Sequence, residues 1–492
     1  MDPRADASLA ARGLATSVVS HSDSLVSSPD IDYAAKFRGA LVGSAIGDAL
    51  GAPVEDSSPE EIAAMFGVVT DYRIDGYGTV DGSITDDTQM ALCIATSLVE
   101  HGHLDADDVA DRFLAWLPIG RGVGASTMQS LLAMRRGIPW WEAAEDSAGN
   151  GAAMRVAPIG LFHPADTAAL AGDAALSAVI THANGMAAAS AIAQAFAIAH
   201  LLHVEPGDFD AARLLSDMRR LVEEALPAMP DEADRLVGLL FEMGDRLDDT
   251  PEELFAYTNN GAYVLESLPA AWWCFLRSPE DPEQVLVTAV NGGYDADTVA
   301  ALAGALAGAY LGDEALPNRW LTGLEYVDGI IGVADKLWRM SRLPGDPAQP
   351  RYLDDASLTA VGLFCPIEID GAEYPTITHA YLALRTDDEA TRRRIRFAPT
   401  PQDARRHSAG APLVPGQDAA GLLRTLLDAA LTAGTPGSER LHRPDQLAWP
   451  DAPPLPWASD LATADGLSWP LTGELDALDV RALLEERLTG MS

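Results

Sequence analysis

The sequence predicts an all-α domain over residues 31–342, followed by a small α+β domain over 352–492. Three observations lead there. Apolar side chains recur at helical spacing through long Ala- and Leu-rich runs before residue 342, where strand-like alternation is almost absent. The Pro-dense run Leu343-Pro344-Gly345-Asp346-Pro347-Ala348-Gln349-Pro350 then reads as a linker, placed at 343–351. Beyond it the texture changes: Leu358 to Ile369 is β-rich, Asp370-Gly371 signals a turn, and Pro375 onward leads into a helix. Residues 1–30, rich in Ser, Ala and Asp, hold no sustained apolar core and are expected to form a disordered tail.

From Tyr33 onward a helix carries Gly39, Gly43, Gly47 and Gly51, four residues apart and so on one ridge. Each such Gly costs about 1 kcal/mol relative to Ala, so the ridge predicts that another backbone or a ligand comes very close. For Gly39 and Gly43, helix packing alone is an equal reading. Glu55 follows Pro53, where this helix should end, and a carboxylate on an exit loop is free to face a site.

Thr85-Asp86-Asp87-Thr88 sets two adjacent carboxylates between two hydroxyls at the start of a helix whose stripe is Met90, Ile94 and Leu98 and whose stop is His101-Gly102. One such Asp could simply be an N-cap. Far downstream, Asp295-Ala296-Asp297-Thr298 repeats the chemistry ahead of another Ala/Leu-rich helix. Crowded carboxylates shift their pKa, pair with a base or bind a cation. Two oxygen-only half-sites point to Mg²⁺ or Mn²⁺. A zinc thiolate site is disfavoured, because Cys93, Cys274 and Cys365 stand at no metal-ligand spacing.

Two Gly-rich turns, at Gly122 and Gly124 and at Gly149-Asn150-Gly151, each run into a helix, where backbone N–H groups can cradle phosphate. Thr181-His182-Ala183-Asn184 caps the apolar run from Met186 to Leu202, which is read as a buried helix because it falls short of a membrane span. Further helical patterns cover 211–225, 231–247, 262–277 and 298–311, and short helices are expected at 418–432 and 476–488.

Seventy-three acidic residues against 33 basic ones give a net charge of −40, which repels nucleic acid and anionic membranes and disfavours non-specific binding to either. The scattered cysteines fit a reducing compartment, and a cytoplasmic monomer is expected.

The ordered set of Gly39–Glu55, Thr85–Thr88, Gly149–Arg155, Thr181-His182 and Asp295–Thr298 resembles the ADP-ribosylglycohydrolase family, the DraG-like hydrolases. The resemblance covers about residues 33–342 and implies a helical domain that holds two Mg²⁺ or Mn²⁺ ions and cleaves the glycosidic bond of an ADP-ribosylated protein or small molecule. Carried over, it makes Thr85, Asp86, Asp87, Asp295, Asp297 and Thr298 metal ligands and Glu55 the active-site glutamate. Glu55 and Asp87 are the candidates for proton transfer or water alignment. Gly122, Gly124, Gly149, Asn150, Gly151, Met154, Arg155 and His182 become substrate-binding positions. Tyr294 and Ala296 depart from the family's Gly and Thr. A catalytically silent relative and a hydrolase of another ribosylated small molecule are the rival readings.

The stretch Phe364–Tyr381 with Ile395–Arg405 resembles the NADAR family of N-glycosidases. Thr378, Leu382 and Arg385 replace that family's Glu, Gln and Lys, so a non-catalytic domain is expected.

Overall fold

The computed structural model describes residues 31–73 and 82–341 and, in the C-terminal part, 364–369, 372–376, 380, 383–384, 386, 389–396, 422 and 425–426. Packing divides the chain into two units, Met1–Gln349 and Pro350–Ser492.

Among its described residues the first unit is helical, without a strand. In order run α1 (Tyr33–Gly51), α2 (Pro59–Phe66), α3 (Asp86–His101), α4 (Ala106–Trp116), α5 (Ala125–Arg135), α6 (Trp140–Ala143), α7 (Gly151–Met154), α8 (Ala157–Phe162) and α9 (Thr167–Ala178). They continue as α10 (Gly185–Leu202), α11 (Ala211–Ala225), α12 (Pro230–Asp245), α13 (Pro251–Thr258), α14 (Val264–Arg277), α15 (Pro282–Val290), α16 (Ala296–Leu311), α17 (Asn318–Gly323) and α18 (Val327–Met340).

Local signals set many of the ends. Asp32 accepts from the Ala35 N–H at the start of α1, Ser58 and Glu61 form a capping box on α2, and Asn184 accepts from Met186 to begin α10. Gly102, at φ 72°, takes the left-handed conformation that closes α3.

The pairing that organises the unit is α1 against α16. A Cβ on Gly39, Gly43, Gly47 or Gly51 would overlap the backbone of Gly308, Gly304, Ala300 or Asp297 respectively, so the ridge lets two backbones touch along their length. Around this pair, α10 is buried end to end and packs on α7, α8, α9, α11 and α16. By length and composition α10 is apolar enough to cross a membrane, yet all of it lies inside the fold. Its one amide is satisfied there: Gln194 donates to the Leu302 carbonyl at 3.0 Å and accepts from the Trp272 indole at 2.9 Å.

In the second unit, strands β1 (Phe364–Ile369) and β2 (Ala372–Thr376) pair antiparallel, with Ile369 opposite Ala372 and an irregularity between Phe364 and Ile367. Helix α19 (Glu389–Arg396) follows, and the Arg396 guanidinium stands 5.7 Å over the Tyr374 ring. The expected tail at 1–30, the linker at 343–351, the residues Thr378, Leu382 and Arg385, the helix at 476–488 and most of that at 418–432 lie outside the described residues.

Candidate active site

Three chain segments converge where α1 ends. Because Gly51 sits directly against the Asp297 backbone, the last turn of α1 delivers Asp48, and the loop beyond it Glu55, to the N-terminus of α16. The start of α3 supplies Thr85 to Thr88. Two groups of carboxylates result: oxygens of Asp48, Asp87 and Asp297 lie within 4.8 Å of one another, as do those of Glu55, Asp295 and Asp297. Asp297 belongs to both.

Asp48 and Asp87 are buried, and Glu55 and Asp295 are half-buried. Burial, and then the charges of Asp48, Asp86, Asp295 and Glu55, push the Asp87 carboxyl well above the usual range. Burial acts first on Asp297 too, followed by the charges of Asp87 and Asp295. The Thr298 hydroxyl donates to Asp87 Oδ2 at 3.3 Å, whereas Asp87 Oδ1 is buried with no hydrogen-bond partner. An orphaned carboxylate oxygen inside an all-oxygen donor set is the chemistry a hard divalent cation fits. Thr85, Asp86, Asp87, Asp295, Asp297 and Thr298 are the expected holders, and the fold brings them to one place, at the starts of α3 and α16.

Neither Asp86 nor Asp87 caps α3. The N-cap position is Thr85, whose side chain makes no capping bond, and the capping oxygens belong to Asp48 on another helix. Sequence reasoning passed over Asp48. Its signal was that it is the only charged residue between Arg38 and Glu55, inside an otherwise apolar, glycine-rich helix.

The two Gly-rich turns lie beside this centre. Gly124 caps α5 while its N–H donates to Asp86 Oδ2 at 3.4 Å, and the Asp86 N–H donates to the Arg121 carbonyl at 2.8 Å, tying α3 to the Gly122 turn. Asn150 donates to Asp295 Oδ2 at 2.5 Å and to Ser267 Oγ at 3.1 Å, so its side chain holds a carboxylate of the centre. His182 is buried against Gly151, where an added Cβ would meet its Cε1 at 2.7 Å. Burial, then the Arg155 charge, lowers its pKa to about 3, leaving a neutral ring that braces the turn. Met154 and Arg155 point into the core and do not line a surface. Arg155 is fully buried, stacks over Phe113 at 5.0 Å, donates to the Ser177 carbonyl at 2.8 Å and has its pKa pushed down to about 9 by burial.

On the outer side, Tyr294 sits at φ 56° with 43% of its surface exposed, and it exchanges backbone bonds with the loop after Glu55: Asp56 N–H to Tyr294 O at 2.8 Å and Tyr294 N–H to Ser57 O at 2.7 Å.

A model of the ADP-ribosylglycohydrolase family matches residues 29–347, across the whole of this helical assembly. The chain belongs to the ADP-ribosylglycohydrolase family. The family match ends before the second unit begins. Among relatives of this ADP-ribosylglycohydrolase domain, an uncharacterized protein of Archaeoglobus fulgidus is 34% identical over 310 residues, 62% of this chain and 96% of the relative. ADP-ribosylhydrolase ARH3 of Bos taurus is 32% identical over 339 residues, 62% of this chain and 93% of the relative. The ADP-ribosyl-[dinitrogen reductase] glycohydrolase of Rhodospirillum rubrum is 32% identical over 295 residues, 58% and 89% respectively. A solved structure described as an ADP-ribosylglycohydrolase-related protein complex superposes with a TM-score of 0.51 at 33% identity, covering 63% of this chain and 99% of that one.

Proposed function

We propose that this chain hydrolyses the glycosidic bond joining an ADP-ribosyl group to its carrier, using two divalent cations, Mg²⁺ or Mn²⁺, held by Thr85, Asp86, Asp87, Asp295, Asp297 and Thr298. The observation that carries the reading is the double membership of Asp297 in two carboxylate groups, next to an Asp87 oxygen that has no partner in the protein. The chain's likeness to ADP-ribosylhydrolase ARH3 and to the ADP-ribosyl-[dinitrogen reductase] glycohydrolase supports it.

When bound, such a pair supplies Lewis acidity and fixed positive charge beside the ribose diol. The chain's own groups account for the remaining steps. As the glycosidic bond stretches, positive charge builds at the anomeric carbon, and the fixed carboxylates of Asp87 and Asp297 are placed to stabilise it. Glu55, on the loop leaving α1, carries the half-buried carboxylate that no metal-ligand role claims, and it aligns the attacking water and takes its proton. Water adds to the anomeric carbon, the bond to the carrier breaks, and the proton taken by Glu55 returns, directly or through solvent, to the departing nitrogen or oxygen. The turns at Gly122 and Gly149 are suited to the diphosphate, since Asn150 pins the second turn through its N–H to the Ala262 carbonyl at 3.0 Å.

The test is incubation of purified full-length protein with a panel of proteins, peptides and nucleic acids ADP-ribosylated on arginine, serine or a nucleobase, with Mg²⁺ or Mn²⁺ and with EDTA. Release of ADP-ribose from at least one substrate, abolished by EDTA, is expected. Full turnover in excess EDTA contradicts the metal reading, and inertness on the whole panel contradicts the reaction.

A further inference from the structure

Asp48 is completely buried in the last turn of α1, and its carboxylate is crowded with donors from a different helix. Oδ1 accepts the Thr85 hydroxyl at 2.7 Å and the Thr85 N–H at 3.0 Å. Oδ2 accepts the Thr85 N–H at 2.9 Å, the Thr88 N–H at 3.2 Å and the Thr88 hydroxyl at 2.5 Å. A carboxylate from one helix thus caps another.

The capping has a chemical consequence. A hydroxyl has one proton and two lone pairs. With its proton committed to Asp48, the Thr85 oxygen has only lone pairs to offer any other neighbour, which is the state a cation requires of a neutral ligand. Asp48 itself is placed differently. Its oxygens come within 4.8 Å of those of Asp87 and Asp297, but both are already occupied by N–H and O–H donors, whereas Asp87 Oδ1 has none.

We infer that Asp48 is a positioning residue of the cation site, one that acts by fixing the orientation of the Thr85 hydroxyl and is not itself a ligand. The inference rests on the proposal that the centre binds divalent cations. Outer partners of this kind typically set metal affinity by 10- to 100-fold.

The test is a double-variant cycle in the full-length protein, read by calorimetric titration of metal-free protein with Mn²⁺ and by thermal unfolding in EDTA. Asp48→Asn is expected to weaken Mn²⁺ binding by roughly 10- to 100-fold. Thr85→Val is expected to weaken it as well, and Asp48→Asn placed in the Thr85→Val background adds little, because its route of action is already gone. Thr88→Val separates this from simple helix capping: it lowers the unfolding temperature while Mn²⁺ affinity stays at the wild-type level. It also keeps the proposal testable if Asp48→Asn does not fold, since equal losses of affinity in Thr88→Val and Thr85→Val overturn it. Additive losses in the double variant make Asp48 a ligand and overturn it, as does an Asp48→Asn protein with unchanged affinity. A wild-type protein that binds no Mn²⁺ is a different result, one that removes the cation site and this inference together.

Discussion

Gly51 of α1 and Asp297 of α16 lie backbone against backbone, so closely that a Cβ on Gly51 would overlap the Asp297 Cα. This contact joins the two halves of the centre, since Asp48 and Glu55 arrive on one side of it and Asp295 and Thr298 on the other. Gly39 makes the same kind of contact at the far end of the pair, against Gly308 and Gly312. Gly51→Ala and Gly39→Ala should therefore both lose stability, by about 1–3 kcal/mol for overpacking. Only Gly51→Ala should also weaken Mn²⁺ binding. Denaturant unfolding in EDTA with calorimetric titration separates the two effects, and equal affinities in both variants would sever the link drawn between helix packing and the site.

The acidic centre predicts a pH-dependent response to metal. Burial and neighbouring charge hold the Asp87 and Asp297 carboxyls above the ordinary range, so the metal-free native state keeps protons that the unfolded chain has lost above about pH 4. The native state binding more protons, metal-free stability falls as pH rises through that window. A cation must displace those protons, so its stabilisation grows over the same window. His182 and His200, lowered by burial to about 3 and about 4, act in the opposite sense, with stability lost as pH falls below about 6.5, but they do so in both forms and cancel in the difference. The gap in unfolding temperature between Mn²⁺-loaded and EDTA-treated protein should be widest near neutral pH and narrow toward about pH 5. A gap that stays constant contradicts the assignment of these carboxylates to the metal.

Tyr294 carries a side chain through the left-handed region at φ 56°, a conformation that costs a non-glycine residue roughly 1–2 kcal/mol. It does so beside Asp295, with 43% of its surface exposed. Tyr294→Gly should relieve the strain, leaving thermal stability unchanged or raised, while KM for an ADP-ribosylated substrate rises because the ring no longer borders the carrier. Steady-state kinetics on the best substrate of the panel checks this, and an unchanged KM removes Tyr294 from substrate recognition.

For the second unit, the replacements at Thr378, Leu382 and Arg385 lead us to propose a domain without glycosidase chemistry of its own. A full-length Asp86→Ala/Asp87→Ala variant should then release no ADP-ribose from protein or from guanine. Release above background by that variant makes the chain a bifunctional glycosidase.

Much of the helical unit was legible because its signals are local. The pattern over 211–225 coincides with α11, His101-Gly102 ends α3, and the four-residue glycine spacing announced a close backbone. The acidic pairs could be read for the same reason, since adjacent carboxylates at a helix start stand out in a short window. Asp48 could not, because its partners Thr85 and Thr88 are 37 and 40 residues away and its own neighbours spell an apolar core helix. Arg155 shows the converse. The Gly-rich turn before it suggests an exposed ligand contact, but Phe113 and Ser177, remote in sequence, take the guanidinium into the interior. Asn150, expected to meet substrate, has its side-chain amide engaged by Asp295 and Ser267, partners too remote in sequence to be read from the turn.

Asp297 is the carboxylate common to both groups. Calorimetric titration of metal-free Asp297→Ala with Mn²⁺ tests that most directly, with circular dichroism and thermal unfolding in EDTA confirming an intact helical fold. The predicted result is loss of binding at both sites together, against two equivalents in the wild-type protein. Wild-type stoichiometry and affinity in Asp297→Ala would contradict a metal centre built around this residue.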